Sequence, residues 1–225
     1  MTLSGHHRLR IALLAFAGIV AVAGAWLVAA EVARPLARGF PGNATEAAVV
    51  AQDRSAATRA AWLGIMRGAL WAEAALTYAD LVWAEGDAAR THAPEIFDTA
   101  RAVTEKAAIE APHDGQMWLL LASLESRMDW VTRRGASLLR MSYYTAPNET
   151  ALVPLRLATF GRLDASGDED LQQLARREIA NVVNKRPELK GAIVAAYRGA
   201  LPAGKRFFED ALRDLDPKLL AGPRP

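Results

Sequence analysis

The sequence predicts an all-α protein in which one apolar N-terminal helix precedes a body of helix pairs. Alanine supplies much of a hydrophobic content of 52%, and alanine favours helix over sheet. Apolar residues recur at steps of three and four through most of the chain, and no alternating strand pattern interrupts them. Prolines follow successive amphipathic segments thirty to forty residues apart, at Pro112, Pro147, Pro187 and Pro217.

The first predicted element is an uncharged segment that is long enough to cross a membrane. Residues 11–30 (IALLAFAGIVAVAGAWLVAA) carry no charge and follow a short basic tail, residues 1–10. A helix of about 20 apolar residues spans the hydrocarbon core, and Trp26 suits the lipid interface at its far end. A cleaved signal peptide is the alternative, because small residues at the end of the segment fit a cleavage site. The length of the apolar stretch favours a membrane anchor.

The charges beside this segment bear on its orientation. Arg8 and Arg10 precede it, whereas Arg34 and Arg38 follow it, so the positive-inside rule gives nearly equal weights to the two sides. A short tail is easily left in the cytoplasm while the remainder is exported. We therefore expect a single-pass protein of the inner membrane, with its N-terminus cytoplasmic and its body periplasmic or otherwise extracytoplasmic.

A linker and a helical body follow the anchor. Residues 31–45 contain two prolines and two glycines, which predict a linker. The body is expected over residues 46–217, and residues 218–225 are expected to form a frayed tail. Within the body, residues 46–85 read as one long helix with a continuous apolar seam. Within residues 62–84, the charges of Arg67, Glu73 and Asp80 argue against a second membrane span.

Proline and capping residues predict the boundaries of the later helices. Pro94, Pro154 and Pro202 each predict the start of a helix, because proline is tolerated in the first turn. Asp114 is placed to cap the helix that follows it, and Ser166 opens a stretch with the spacing of a capping box. Apolar spacing predicts that the following residues are buried: Phe97, Leu121, Leu139, Leu157, Ile179, Val182, Ile193, Phe207, Phe208, Leu212 and Leu215.

The stretch between Pro112 and Pro147 resembles a tetratricopeptide repeat. With one inserted residue, seven of its residues match the family's pattern: Trp118, Leu121, Ala122, Gly135, Leu139, Ser142 and Pro147. Glu125 departs from the pattern, since the family prefers a large aromatic residue there. The turn between the two helices is expected at Arg133–Gly135. The resemblance implies a superhelix of stacked helix pairs that binds other proteins, and it implies no chemistry. The whole chain is also similar to uncharacterised proteobacterial envelope proteins with one anchor and a helical body.

Residue patterns give no support to catalysis or cofactor binding. Cysteine is absent, which excludes disulfides, thiolate metal sites and a cysteine nucleophile. The four histidines lack metal-ligand spacing, and the sequence contains no phosphate loop, dinucleotide fingerprint or nucleophile elbow. The net charge of +2 comes from Arg8 and Arg10, and acids alternate with bases elsewhere. We therefore expect no enzyme activity, no cofactor, no metal and no nucleic-acid partner.

The candidate partner-binding residues are aromatic and basic side chains that lie off the apolar seams. They are Trp71, Trp130, Arg133, Arg134, Arg140, Tyr143 and Tyr144. Aromatic residues on the seams are expected in the core, as for Trp62, Trp83 and Trp118, and simple solvation is the alternative account of the three arginines. The resulting hypothesis is a membrane-anchored, non-catalytic scaffold that binds another envelope protein. The alternative is an accessory factor of envelope polysaccharide assembly or export that contacts glycan directly.

Overall fold

The computed structural model of the chain describes residues 5–33, 47–64, 67–85, 94–128, 133–165 and 167–220. Within those ranges the protein contains ten α-helices, two short 3-10 helices (Thr150–Leu152 and Pro187–Leu189) and no strand. The α-helices are α1 (Gly5–Val32), α2 (Ala47–Leu63), α3 (Gly68–Glu85), α4 (Pro94–Glu110), α5 (Gly115–Met128), α6 (Arg133–Thr145), α7 (Val153–Arg162), α8 (Glu169–Lys185), α9 (Lys190–Gly199) and α10 (Pro202–Leu212). The prediction of an all-α protein with a long apolar first helix is confirmed.

Helix α1 is apolar on all sides and stands outside the core. The span His7–Val32 reaches a mean hydropathy of 2.5, and by length and composition it is able to cross a membrane. Large apolar side chains along it are exposed, among them Leu14 and Val22. Of the side chains described between His7 and Val32, Ala30 alone is buried. Apart from its C-terminal end, the apolar surface of this helix is therefore not covered by the described body.

Two polar contacts join the end of α1 to the connection between α2 and α3. The indole N–H of Trp26 donates a hydrogen bond to the carbonyl of Leu63 at 2.7 Å. The guanidinium of Arg67 pairs with the carboxylate of Glu31, also at 2.7 Å. Ala30 adds an apolar contact, since it packs in one cluster with alanines of α2 and α3. Helix α1 and the body are therefore in direct contact.

The single long helix predicted over residues 46–85 is wrong. Helix α2 ends at Leu63 and α3 begins at Gly68, and the two helices fold back and pack against each other. Glycine weakens a helix because it loses the most conformational freedom on folding, and Gly64 and Gly68 flank the break. Gly68 also permits a close approach to the end of α4: a Cβ atom there would lie 2.6 Å from the Cβ of Ala111.

Two large cores hold the described body together, and a third, small cluster contains Val82, Phe97, Ala100 and Leu124. The first lies between α2, α3, α4 and the start of α5, and its buried side chains are mostly alanine. The second extends from α5 to α10 and uses larger residues: Leu121, Leu139, Leu157, Phe160, Ile179, Ile193 and Phe208. Helix α7 lies at its centre, since it contacts α5, α6, α8, α9 and α10. Trp118 is half-buried and packs against both cores.

Proline fixes helix starts as predicted. Pro94 is the first residue of α4, Pro202 is the first residue of α10, and Pro154 lies in the first turn of α7. Arg133 and Gly135 do not form the predicted turn, because they already belong to α6, whose first residue is Arg133. Helix α5 ends at Met128, and residues 129–132 lie outside the described residues.

Side-chain caps were predicted for two helices. Asp114 caps α5 as expected, because its carboxylate accepts a hydrogen bond from the backbone N–H of Gln116 at 2.9 Å. At α8 the cap is Asp168, which accepts from the N–H of Leu171 at 3.0 Å. Ser166, the predicted cap, lies outside the described residues. The last predicted core residue, Leu215, is exposed rather than buried, because the chain leaves α10 before reaching it.

The helix pair α5–α6 agrees with the helix-turn-helix unit predicted between Pro112 and Pro147. The two helices pack closely, and five of the matching residues are buried: Leu121, Ala122, Gly135, Leu139 and Ser142. The later helices do not all pair with the next helix in the chain, since α7 packs chiefly against α9 rather than against α8. The tetratricopeptide-like superhelix is not confirmed by this packing and stays a prediction.

The crossing of α7 and α10 leaves no room for a side chain at Gly204. A Cβ atom there would lie 2.9 Å from the Cα atom of Gly161. We expect Gly204→Ala to lower the free energy of unfolding by about 1–3 kcal/mol, because the backbone of α7 must move. The control is Gly191→Ala in α9, where nothing lies within 4 Å of the added atom. It should be neutral or stabilising by up to ~1 kcal/mol. Urea unfolding of the full chain in detergent, followed by circular dichroism, measures both; equal midpoints would contradict the described crossing.

Candidate functional site around helix α6

The structure reverses the predicted positions of two tryptophans. Trp71, predicted to lie at a contact surface, is buried with 7% of its area exposed. Trp62, predicted to lie in the core, is 68% exposed. The two rings meet edge to face with their centroids 5.7 Å apart. Because the break between α2 and α3 interrupts the apolar seam, the register of α2 does not continue into α3. Trp130 lies outside the described residues.

Helix α6, which carries the other candidate residues, has a buried face and an exposed face. The buried residues are Gly135, Ala136, Leu138, Leu139, Ser142 and Tyr143. The exposed residues are Arg133, Arg134, Ser137, Met141 and Tyr144. Tyr143 was predicted at a contact surface, and this placement is wrong, since only 6% of its area is exposed. Arg140 lies between the two faces and is half-buried.

Arg134 is held at the surface by two acidic residues. Its Nη2 atom lies 2.7 Å from a carboxylate oxygen of Glu105 in α4. Its Nε atom lies 3.6 Å from Glu125 of α5, whose side chain is 7% exposed. Arg101 of α4 approaches the same oxygen of Glu125 at 3.8 Å. A nearly buried carboxylate between two arginines thus occupies the position where the repeat family prefers an aromatic residue.

Arg140 and Tyr144 both reach the first turn of α8. The Nη1 atom of Arg140 lies 3.2 Å from each carboxylate oxygen of Asp168, which also caps that helix. The phenol of Tyr144 donates a hydrogen bond to Asp170. Exposed or half-exposed pairs of this kind contribute about 0–1 kcal/mol to stability. These pairs therefore orient the side chains of Arg140 and Tyr144 but hold them only weakly, so a binding partner could compete for either one.

A fully buried arginine lies beneath Tyr143. Arg156 of α7 is 0% exposed. Its Nε atom donates to the hydroxyl of Ser142 at 3.1 Å, and its Nη2 atom donates to the carbonyls of Ser142 and Ala146 at 2.6 and 2.8 Å. Its Nη1 atom lies 3.5 Å from Glu178 of α8. The guanidinium also stacks on the ring of Tyr143, with its carbon 4.7 Å from the ring centroid.

Tyr143 and Glu178 complete this buried cluster. The phenol of Tyr143 donates to Glu178 at 2.7 Å. Burial raises the pKa of the Glu178 carboxyl to about 7, although the hydrogen bond from Tyr143 and the charge of Arg156 act in the opposite direction. Burial, followed by the charge of Glu178, raises the pKa of Tyr143 well above its ordinary value. Glu178 therefore changes protonation state near neutral pH, in the middle of a contact between α6, α7 and α8.

Arg156 and Glu178 were not predicted from the sequence. Arg156 lies on the apolar face of α7, between Val153 and Phe160, and a charged residue at that helical spacing is a recognisable sign of a buried ion pair. Glu178 likewise lies on the apolar face of α8, three residues after Ala175 and four before Val182. The residue that each would contact could not be read from either helix alone.

The α6 region combines exposed charged side chains, which can bind an oppositely charged group, with a buried cluster that holds α6 against α7 and α8. Within the described ranges, no group of three or more histidine and acidic residues is placed to hold a metal ion. No protein-family model matches the chain, and no curated protein or solved structure is significantly similar to it. A function assigned to the α6 face must therefore rest on its own geometry.

The raised pKa of Glu178 makes stability depend on pH. Its pKa is about 7 in the folded chain against a reference value of 4.5, so the folded state binds more protons between these values. The corresponding stabilisation, up to ~3 kcal/mol, is complete below about pH 4.5 and is lost as the pH rises through 7. We expect Glu178→Gln to remove this slope, because glutamine still accepts from Tyr143 but does not titrate. Urea unfolding at intervals from pH 5 to pH 8 measures it. Exposed Glu188→Gln is the control; parallel slopes in both variants would refute the assignment.

Removing the buried guanidinium should be strongly destabilising. We expect Arg156→Met to lower the free energy of unfolding by about 3 kcal/mol, because the buried hydrogen bonds to Ser142 and Ala146 are lost and Glu178 loses its counter-charge. Arg213, which is exposed and pairs within one helical turn, provides the control. Arg213→Met should change stability by less than about 0.5 kcal/mol. Denaturant unfolding of both variants gives the comparison, and similar midpoints would show that Arg156 is not structural.

Proposed function

We propose that this chain is a membrane-anchored helical scaffold whose α6 face binds another protein of the cell envelope, without catalysis of its own. The observation that carries the proposal is the position of α1. This helix stands outside both cores with its apolar side chains exposed, and direct contacts join its end to a packed helical body. Such a helix gains free energy by burial in lipid, and the body then presents its surface beside the membrane.

The proposed orientation places the short basic tail in the cytoplasm and the body on the other side. Arg8 and Arg10 precede the apolar span, and a short tail needs no translocation. The inner membrane and the periplasmic side are part of this proposal. An uncleaved span is favoured because Trp26, Ala30 and Glu31 make specific contacts with the body, which a removed signal peptide would not need.

The exposed side of α6 supports a partner-binding role. Arg133, Ser137, Met141 and Tyr144 follow the spacing of one helical stripe, and Tyr144 and Met141 expose 54% and 38% of their areas. Arginine, methionine and aromatic residues are enriched at protein interfaces. The opposite side of the helix is buried, so the backbone that carries the stripe is already fixed. A rigid surface binds with less loss of conformational entropy.

The buried cluster supports a non-catalytic scaffold. Tyr143, Arg156 and Glu178 contact one another in the interior, at a place where three helices meet. Perturbed pKa values occur at structural ion pairs as well as at active sites. We assign this cluster the role of holding the α6 face in position.

Direct contact with a glycan is the second candidate. Tyr144 offers an exposed ring, and Asp170 beside it already accepts a hydrogen bond from a hydroxyl group. A sugar could stack on the ring and donate its own hydroxyl groups to the same carboxylate. Loss of glycan binding in Tyr144→Ala, with no protein partner captured, would favour this candidate.

The proposal is tested by crosslinking the full chain in intact cells. A photo-reactive amino acid at Tyr144 or Met141 should capture one membrane-associated protein, because these side chains project from the α6 stripe. The same group at Asn184, which is exposed on α8, is the control and should not capture it. Charge reversal by Arg133→Glu should reduce the yield from Tyr144. Equal capture from Asn184, or none from either α6 position, would contradict a binding role for this face.

A further inference from the structure

We infer that the end of the body where α1 joins it lies against the lipid bilayer and places Trp62 and Ile109 in the membrane interface. This inference rests on the proposed membrane anchor. It concerns a different surface from the α6 face, and it identifies the occupant of that surface as lipid.

Three helix ends come together where α1 meets the body. The carbonyl of Leu63, at the end of α2, accepts the hydrogen bond from Trp26. Arg67, just before α3, pairs with Glu31. The first residue of α3, Gly68, lies against the end of α4, since a Cβ atom on it would be 2.7 Å from the carbonyl oxygen of Glu110. The end of α2, the start of α3 and the end of α4 therefore face the side from which the anchor arrives.

The most exposed large apolar side chains of the described body lie at this end. Trp62 exposes 68% of its area and Ile109 exposes 64%. Trp62 is in the last turn of α2, and Ile109 is in the last turn of α4. Leaving both in water would forgo the free energy of burying them. Scattered exposed apolar residues are ordinary, but these two lie in the last turns of helices that end beside α1.

The hydrogen bond from Trp26 places the end of α2 beside this part of α1. Trp62 immediately precedes Leu63, whose carbonyl accepts that bond, so the turn of α2 that carries Trp62 lies next to Trp26. Trp26 is itself half exposed, with 50% of its area accessible. Tryptophan is enriched at membrane interfaces because its ring is apolar and its N–H is polar. The same depth that suits Trp26 therefore suits Trp62.

The groups around Trp62 match the chemistry of a lipid surface. A cleft of about 490 Å³ between α2, α3 and α4 has Trp62 and Trp71 on its walls, together with Val103 and Lys106. The ammonium of Lys106 lies 5.9 Å from the ring of Trp71 and pairs with Glu110, so its alkyl chain covers apolar surface while its charge stays at the rim. Arg59 is exposed one turn before Trp62. Basic groups around exposed apolar residues suit anionic headgroups over hydrocarbon.

The absence of cysteine from the chain allows a direct test. Single variants Trp62→Cys and Ile109→Cys are labelled with an environment-sensitive fluorophore, and the full chain is reconstituted into phosphatidylcholine–phosphatidylglycerol vesicles. Lipids with a nitroxide near the headgroup should quench both labels several-fold more than a label at Asn184→Cys. A label at Val20→Cys, in the middle of α1, should be quenched by a nitroxide deep in the acyl chain. Retained helical circular dichroism shows that each labelled chain is folded.

The outcomes separate this inference from the anchor. Quenching at Val20 without quenching at positions 62 and 109 overturns the inference and leaves the anchor standing. No quenching at Val20 overturns the anchor, and the inference with it. A fluorescence shift at position 62 that grows with the protein-to-lipid ratio indicates that a second copy covers the surface, which also overturns the inference. Quenching at all three positions, independent of that ratio, supports it.

Discussion

The guanidinium of Arg156, shut off from water, determines how three helices of the second core meet. A buried charge is tolerated only where hydrogen bonds and a counter-charge replace its hydration. Its acceptors are the hydroxyl of Ser142 and the carbonyls of Ser142 and Ala146, at the C-terminal end of α6. Carbonyls at the C-terminal end of a helix carry its negative pole, so they are well suited to a cation. Glu178 supplies the counter-charge from α8. Neither α7 nor α8 can shift along α6 without breaking this set of contacts.

The two large cores are filled by side chains of different size. Alanine dominates the first core, and small side chains let α2, α3 and α4 approach one another closely. Leucine, isoleucine and phenylalanine fill the second core, where α7 is surrounded by five other helices. Trp118 links the cores, and its indole N–H is satisfied by the carbonyl of Pro112 at 2.8 Å. The α6 face is therefore supported by the more bulky core, whereas the contact with α1 is made by the alanine-rich one.

Sequence reasoning succeeded where a single residue determines local geometry. Pro94, Pro154 and Pro202 mark helix starts because proline restricts the backbone and has no N–H to donate. Asp114 caps α5 for a similarly local reason. The uncharged N-terminal segment also reads correctly as one long helix, since no tertiary contact is needed to explain it.

Sequence reasoning failed where contacts distant in the chain decide the outcome. The seam that included Trp62 assumed one helix through residue 85, and the break at residues 64–67 resets the helical register, so Trp71 is buried instead. Tyr143 is interior because of Glu178, a contact made across 35 residues. The sequence pattern of α6 alone does not indicate a contact with such a distant residue. The candidate residues from Arg133 to Tyr144 do share one helix, but its interior and surface residues could be separated only by the packing of α7 and α8.

The bond from Trp26 to Leu63 and the pair between Glu31 and Arg67 have a mechanical consequence for a chain held in a bilayer. Together with the packing of Ala30 in the alanine-rich core, they hold the end of the body beside the C-terminal end of α1. In the scaffold proposed above, any partner of the body would therefore have to lie close to the lipid headgroups.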